Sequence, residues 1–283
     1  MRKISAESIV EAVNDLPALP QVVTQVIKLT EDPDSTAQDI NRVLNRDQAI
    51  TARVLKMANS AFYGFPRRIG SVTDAIILLG FRTLRSIVMA ASVSDILNQE
   101  MEGYALEYGE LWRHSQCAAM AARLIARKSN FAYLDLAYTA ALLHDIGKVI
   151  LNNSMKEAYR EVVNLVSEDK ICFIEAENLI LGFNHAQVGA RVAEKWNLPP
   201  ETVEAIELHH HPEQAQVNRR LTAIVHLADA ISVSMGIGMG IDGLLYSMSG
   251  EATQLLGIDE MKVENIISEL VDVFYDQQIF EMK

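Results

Sequence analysis

Cysteine is scarce in this chain of 283 residues: Cys117 and Cys172 are the two, far apart and without CxxC spacing. That excludes a disulfide framework or a cysteine-ligated zinc ribbon and points to buried thiols in a reducing compartment. Positive charge is also short, with 25 Lys+Arg against 37 Asp+Glu, a net charge of −12 and a pI of 5.1. Sequence-independent nucleic-acid binding and attachment to an anionic membrane both need an excess of Lys and Arg. Neither nucleic acid nor a membrane is therefore expected as a partner, although a local basic site stays open. Long apolar runs are missing as well. The opening twenty residues are charged and lack the apolar stretch of a signal peptide. The longest uncharged run near the C-terminus, 230–241, has 12 residues, too few to span a bilayer. A cytoplasmic protein is expected.

What is present is an ordinary globular composition, 49% hydrophobic and 22% charged, which excludes disorder as the dominant state. A monomer of 31.4 kDa exposes roughly 12,000 Å² of the roughly 45,000 Å² of its extended chain, so there is ample material for a core. Sustained period-2 alternation, internal repeats and low-complexity tracts are lacking, and the patterning is helical nearly throughout. Val22, Val23, Val26, Ile27 and Leu29 form one apolar face after the breakers Pro17 and Pro20. A turn at Asp32–Ser35 follows, with Ser35 expected to cap the next helix and Gln38 as its capping-box partner. Ser71 is expected to cap Val72–Leu79, which Gly80 ends. Weak boundaries fall at Asn98–Tyr108 and beyond Asp229, where Gly236, Gly238, Gly240 and Gly243 crowd together. The chain is thus expected to be all-α, with an N-terminal lobe over 1–98, a core over 99–240 and a C-terminal tail over 241–283.

Histidine is unevenly spread: all seven lie between positions 114 and 226. On a helix His144 and Asp145 would differ by about 100°, with Lys148 about 40° from His144. One arc would then offer an imidazole, a carboxylate and an ammonium, groups that suit a divalent metal and an anionic oxygen. Gly147 costs helix stability unless something must approach closely there. The other candidates are His114, His185 after the N-cap residue Asn184, the run His209-His210-His211, and Asp229. Lone histidines such as His114 and His185 fit either a hydrogen-bonded structural role or a ligand role. The histidine run fits a solvated helix end equally well. Asp229 lies among apolar residues and needs a partner, for which His226 at i−3 is available.

The ordered set His114, His144-Asp145, His185, His209-His210, Asp229 resembles the HD superfamily of metal-dependent phosphohydrolases. Leu16-Pro17-Ala18-Leu19-Pro20, Asp47, Leu55, Ala58-Asn59-Ser60-Ala61-Phe62-Tyr63-Gly64, Ile69, Ala75-Ile76 and Leu79-Gly80 narrow the resemblance to the HDOD family of bacterial signalling proteins. It continues through Glu177, Gly182, His185, Gly189, Trp196-Asn197-Leu198-Pro199 and His209-His210 with Pro212, covering about residues 16 to 230. The resemblance implies an all-α fold with an N-terminal helical lobe packed on an HD-type helical core. It implies metal ligation by His114, His144, Asp145, His185, His209, His210 and Asp229, with Asp145 bridging two ions. Lys148 matches the lysine that faces substrate phosphate in HD-GYP relatives. The Gly-Tyr-Pro motif of those cyclic di-GMP phosphodiesterases is replaced here by His211-Pro212-Glu213, which argues against that activity.

Three functions follow. A relay module would act on a protein partner in a signalling pathway, either a separate protein or a second copy of the chain in a homodimer. The amphipathic stretch Met261–Phe280 would dock on its own core or on such a partner. An enzyme would use one or two ions (iron, manganese, nickel or zinc) to activate water against a nucleotide or other phosphoester, with Asp145 and Lys148 as the catalytic residues. A third reading makes the metal structural or sensory. Arg67, Arg68, Arg82 and Arg85 fit a solvated helix face or an anionic partner site.

Overall fold

The computed structural model describes residues 18–154, 156–169, 171–238 and 248–275. Among them every regular element is helical, and the one extended pairing is an isolated antiparallel bridge between Met101 and Leu106. The chain divides into two units, Leu19–Asp95 with the described part of Ser268–Lys283, and Ile96–Ile267. The boundary expected at 240/241 lies outside the described residues, as do Leu16, Pro17, Gly240, Gly243 and Phe280.

The first unit begins with α1 (Gln21–Glu31), α2 (Ala37–Leu44), α3 (Gln48–Ala58) and the start of α4 (Val72–Leu97). Val23, Val26, Ile40, Leu44, Ile50, Val54, Leu84 and Val88 make its core. The cap of α2 differs from expectation. Thr36, not Ser35, accepts from the Asp39 N–H, and the Asp39 carboxylate accepts in return from the Thr36 N–H. The box is thus shifted by one residue, and a carboxylate beside the helix N-terminus is favoured over the Gln38 amide by the helix dipole. Asn59 closes the loop to Ile69: its amide donates to the Leu55 and Ile69 carbonyls, and its carbonyl accepts from the Ile69 N–H at 2.7 Å. Gly64 turns this loop with a φ of 64°. Ser71 caps α4, accepting from the Asp74 N–H at 3.0 Å. Gly80 breaks that helix with φ 80° and ψ 167°, after which helix resumes at once. Among the described residues α4 has the length and hydropathy of a membrane span, yet 56% of its apolar window is buried within the protein. Of the arginines singled out above, Arg85 pairs with Glu31 at 2.8 Å.

The second unit is built on α5 (Glu110–Lys128), buried nearly all round and rich in alanine at 118, 119, 121, 122 and 126. Such small side chains let α6 (Leu134–Leu143) and α12 (Arg219–Ser234) pack closely along it. Between these lie α7 (Ile146–Ser154), α8 (Lys156–Asp169), α9 (Phe173–Ile180), α10 (His185–Lys195) and α11 (Pro200–Glu207). After α12 come α13 (Gly250–Leu256) and α14 (Glu260–Tyr275). On α14 Ile266 and Leu270 are buried.

Gly147 on α7 has a steric reason. A Cβ there would lie 1.9 Å from the His185 carbonyl oxygen and 2.7 Å from the Gly189 nitrogen. Helices α7 and α10 therefore meet backbone to backbone at Gly147 and Gly189, which sets the spacing between His144-Asp145 and His185.

Glu204 on α11 anchors the loop into α12, accepting from the N–H groups of Gln216, Val217 and Asn218 at 2.6 to 2.9 Å. Partial burial raises the carboxyl's affinity for protons, but these three donors outweigh it and hold the pKa below 4.5. A carboxylate held below its unfolded value stabilises the fold above that value and loses the contribution as pH falls through the folded one. Glu204→Gln is therefore expected to lower stability by about 1 kcal/mol at pH 7, after allowance for solvent screening. Thermal melts at pH 7 and pH 3 check this: the gap to wild type narrows at the lower pH.

Candidate metal centre

The pair His144-Asp145 does not lie within a helix, as the sequence reading assumed, but in the turn between α6 and α7. Ending α6 there lets both side chains point inward with Lys148 one turn on, its Nζ 2.7 Å from Asp145 Oδ2. α5 supplies His114, α10 supplies His185 from its first residue, the turn after α11 supplies His209 and His210, and α12 supplies Asp229. The fold thus brings all seven predicted ligands together.

They form two groups about Asp145. His114 Nε2 lies 3.1 Å from Asp229 Oδ1 and 3.5 Å from Asp145 Oδ2, and His144 Nε2 lies 3.5 and 3.4 Å from the same oxygens. On the other side His185 Nε2 is 3.4 Å and His209 Nε2 4.0 Å from Asp145 Oδ1, with His210 Nε2 2.9 Å from His185 Nε2. Asp145 Oδ1 is buried and, among the described residues, accepts no hydrogen bond. His114, His144, Asp145, His185, His209 and Asp229 are all buried.

The ring tautomers follow from the outer partners. His114 Nδ1 lies 2.9 Å from the Ile237 carbonyl, His144 Nδ1 2.6 Å from the Ala141 carbonyl and His209 Nδ1 2.7 Å from the Ile206 carbonyl. A carbonyl only accepts, so each Nδ1 carries a proton and each Nε2 faces the centre, where it would give its lone pair to a bound ion once deprotonated. The His114 and His144 Nε2 atoms face each other at 3.2 Å. A proton on one of them makes this contact a hydrogen bond, and a cation held beside both would take that proton's place. Burial alone would depress His144, but the Asp145 and Asp229 carboxylates overcome it and raise the imidazole to about 10; the negative charge that holds a proton on this ring would equally favour a cation in its place. Burial, reinforced by the positive charge of His144, pushes His209 well below its ordinary value, the neutral state a ligand needs. Burial opposes ionisation of Asp145 and Asp229, yet the histidines, with Lys148 beside Asp145, hold both well below the usual carboxylate range. The donor set fits a metal: lone pairs and carboxylates converge, with outer-shell acceptors on the far ring nitrogens.

His226 is not the partner of Asp229. Its Nδ1 meets the His209 carbonyl at 2.8 Å and its Nε2 accepts from the Ser249 N–H at 2.9 Å, a structural brace between α12 and α13. His211 is solvent-exposed and 3.6 Å from Glu213.

Three contributors were not assigned a role from the sequence. Glu177, on α9, is 0% exposed and accepts from both the N–H and Nδ1 of His185, at 2.8 and 2.7 Å. Tyr104, from the segment read as a weak boundary, donates to Glu177 at 2.6 Å. The Ile237 carbonyl belongs to the glycine cluster. Gly238 lies against His114, where a Cβ would meet the His114 Cβ at 2.6 Å, and its φ is +67°. Gly238→Ala is expected to strain this turn, displace His114 and weaken metal affinity about tenfold, read by titration with Mn²⁺.

The sequence profile of the HDOD domain matches residues 16–212. An uncharacterised protein of Treponema pallidum is 25% identical over 226 residues, 79% of this chain and 43% of its own length. A ribonuclease Y of Chloroflexus aurantiacus is 31% identical over 131 residues, 46% of this chain and 20% of its own length. The chain thus spans less than half the length of these curated relatives. Among solved structures, an HDOD domain protein of unknown function from Geobacter sulfurreducens is 28% identical, with a TM-score of 0.77 and 99% of both chains covered.

Proposed function

The chain belongs to the HDOD family, and from that premise we propose that it is a bacterial signalling protein whose core holds a pair of metal ions and whose output is a protein interaction. The observation that supports the pair most directly is Asp145, which turns one oxygen to each histidine group. His114, His144, Asp229 and Asp145 Oδ2 would hold one ion. His185, His209, His210 and Asp145 Oδ1 would hold the other. Imidazole and carboxylate donors suit iron, manganese, nickel or zinc. Bound there, the ions would tie five helices and turns into one rigid body and offer Lewis acidity. The partner would be a separate protein or a second copy of the chain.

Hydrolysis of a phosphoester is the second reading, favoured by Lys148. Its side chain is 17% exposed and its ammonium sits beside Asp145, at the edge of the centre, where it could hold a phosphate oxygen. The partial likeness to a ribonuclease Y agrees with phosphodiester chemistry. The two readings separate on Lys148→Ala. An enzyme would lose about 100-fold in turnover of a simple phosphodiester while keeping its metal content. An interaction module would keep its cellular output with the same substitution.

A further inference from the structure

The two histidine groups are not braced alike. His114, His144 and His209 each rest their Nδ1 on a backbone carbonyl, of Ile237, Ala141 and Ile206. His185 rests on a side chain, the Glu177 carboxylate, which also takes the otherwise unpaired N–H at the start of α10. Glu177 is in turn fixed by the Tyr104 hydroxyl on its other oxygen, Oε1. Tyr104 is itself held by packing, with its ring 5.1 Å from the Phe173 ring and perpendicular to the His185 ring at 6.4 Å. The loop that carries it is pinned to α7, where Asn152 accepts from the Gly103 N–H at 3.1 Å and donates to the Glu100 carbonyl.

We propose that Glu177, braced by Tyr104, is a positioning residue that sets the affinity of the His185–His209–His210 group for its ion, so that the two halves of the centre respond separately to mutation. This rests on the two-ion reading given above. The physical reason is twofold. A carboxylate on Nδ1 raises the donor strength of Nε2 more than a neutral carbonyl does, and it fixes the ring plane. The brace enters the centre at His185, whose N–H and Nδ1 both donate to Glu177, and so bears first on the half to which His185 belongs. Segment 98–108, read from the sequence as a boundary, thereby becomes part of the site.

The test is a titration of the metal-free full chain with Mn²⁺, followed by calorimetry and by the electron paramagnetic resonance signal, in which paired and single ions differ. Glu177→Gln keeps the size and removes the charge. It is expected to weaken one of two binding steps by about 10- to 100-fold and leave the other within about threefold. The paired-ion signal should give way to that of a single ion. Tyr104→Phe keeps the ring packing and loses only the hydroxyl; it is expected to weaken the same step by about tenfold or less. A general loss of structure would instead weaken both steps together. Two unchanged steps in Glu177→Gln, or equal weakening of both in the folded Tyr104→Phe protein, would overturn the inference while leaving the metal reading intact. A wild-type protein that takes up no manganese would overturn both.

Discussion

Gly147→Ala is expected to lower stability by about 3 kcal/mol or more, because the added methyl group has the closest obstacles of any described glycine. The obstacles are backbone atoms: the His185 oxygen at 1.9 Å, the Gly189 nitrogen at 2.7 Å and the His185 carbonyl carbon at 2.9 Å from the new Cβ. No side-chain rotation relieves them, so α7 and α10 must separate. Separation moves His185 away from Asp145, and metal uptake falls with stability. Gly250→Ala serves as the control, because nothing lies within 4 Å of its Cβ and it opens a helix where alanine is well tolerated. Thermal melts of the two variants check the contrast. Equal stability of Gly147→Ala and wild type would mean that the two backbones do not meet.

The second large effect is that of ion removal. A ligand present at about a thousandfold excess over its dissociation constant stabilises the folded state by about 4 kcal/mol per site. At about 2 to 4 °C per kcal/mol, stripping two such ions should lower Tm by about 15 °C or more. The ligands come from α5, the α6–α7 turn, α10, the turn after α11, and α12, so the loss would be felt across the whole Ile96–Ile267 unit. Asp145→Ala should mimic removal and make the protein insensitive to chelator. Melting curves with and without chelator, on wild type and Asp145→Ala, would contradict this if the wild-type curve did not move.

Much of this was legible in the sequence because it depends on spacing along the chain. The helical period and the breakers at Gly80 and Pro20 are local patterns, whereas the set of His and Asp ligands over 114–229 was legible only through its resemblance to the HD superfamily. The cost of a glycine at 147 also signalled a close approach, although not that α10 was the neighbour. What stayed hidden depends on contacts between distant segments. Tyr104 and Glu177 are 73 positions apart, and neither is unusual where it stands. The glycines at 236 and 238 read as a weak boundary, since nothing local says that His114, more than a hundred residues earlier, lies against Gly238. His226 was matched with Asp229 by helical spacing, but two backbone partners from other segments take its ring nitrogens. The one-residue error at Thr36 came from choosing between neighbouring hydroxyls that only the fold distinguishes.

The most direct test is the metal content, by mass spectrometry, of tag-free protein purified without chelator, measured beside Asp145→Ala. The paired arrangement around Asp145 predicts up to two equivalents of a first-row transition metal in the wild type and a near-complete loss in the variant. A folded wild-type protein that holds no metal, even after incubation with iron, manganese, nickel and zinc, would contradict it.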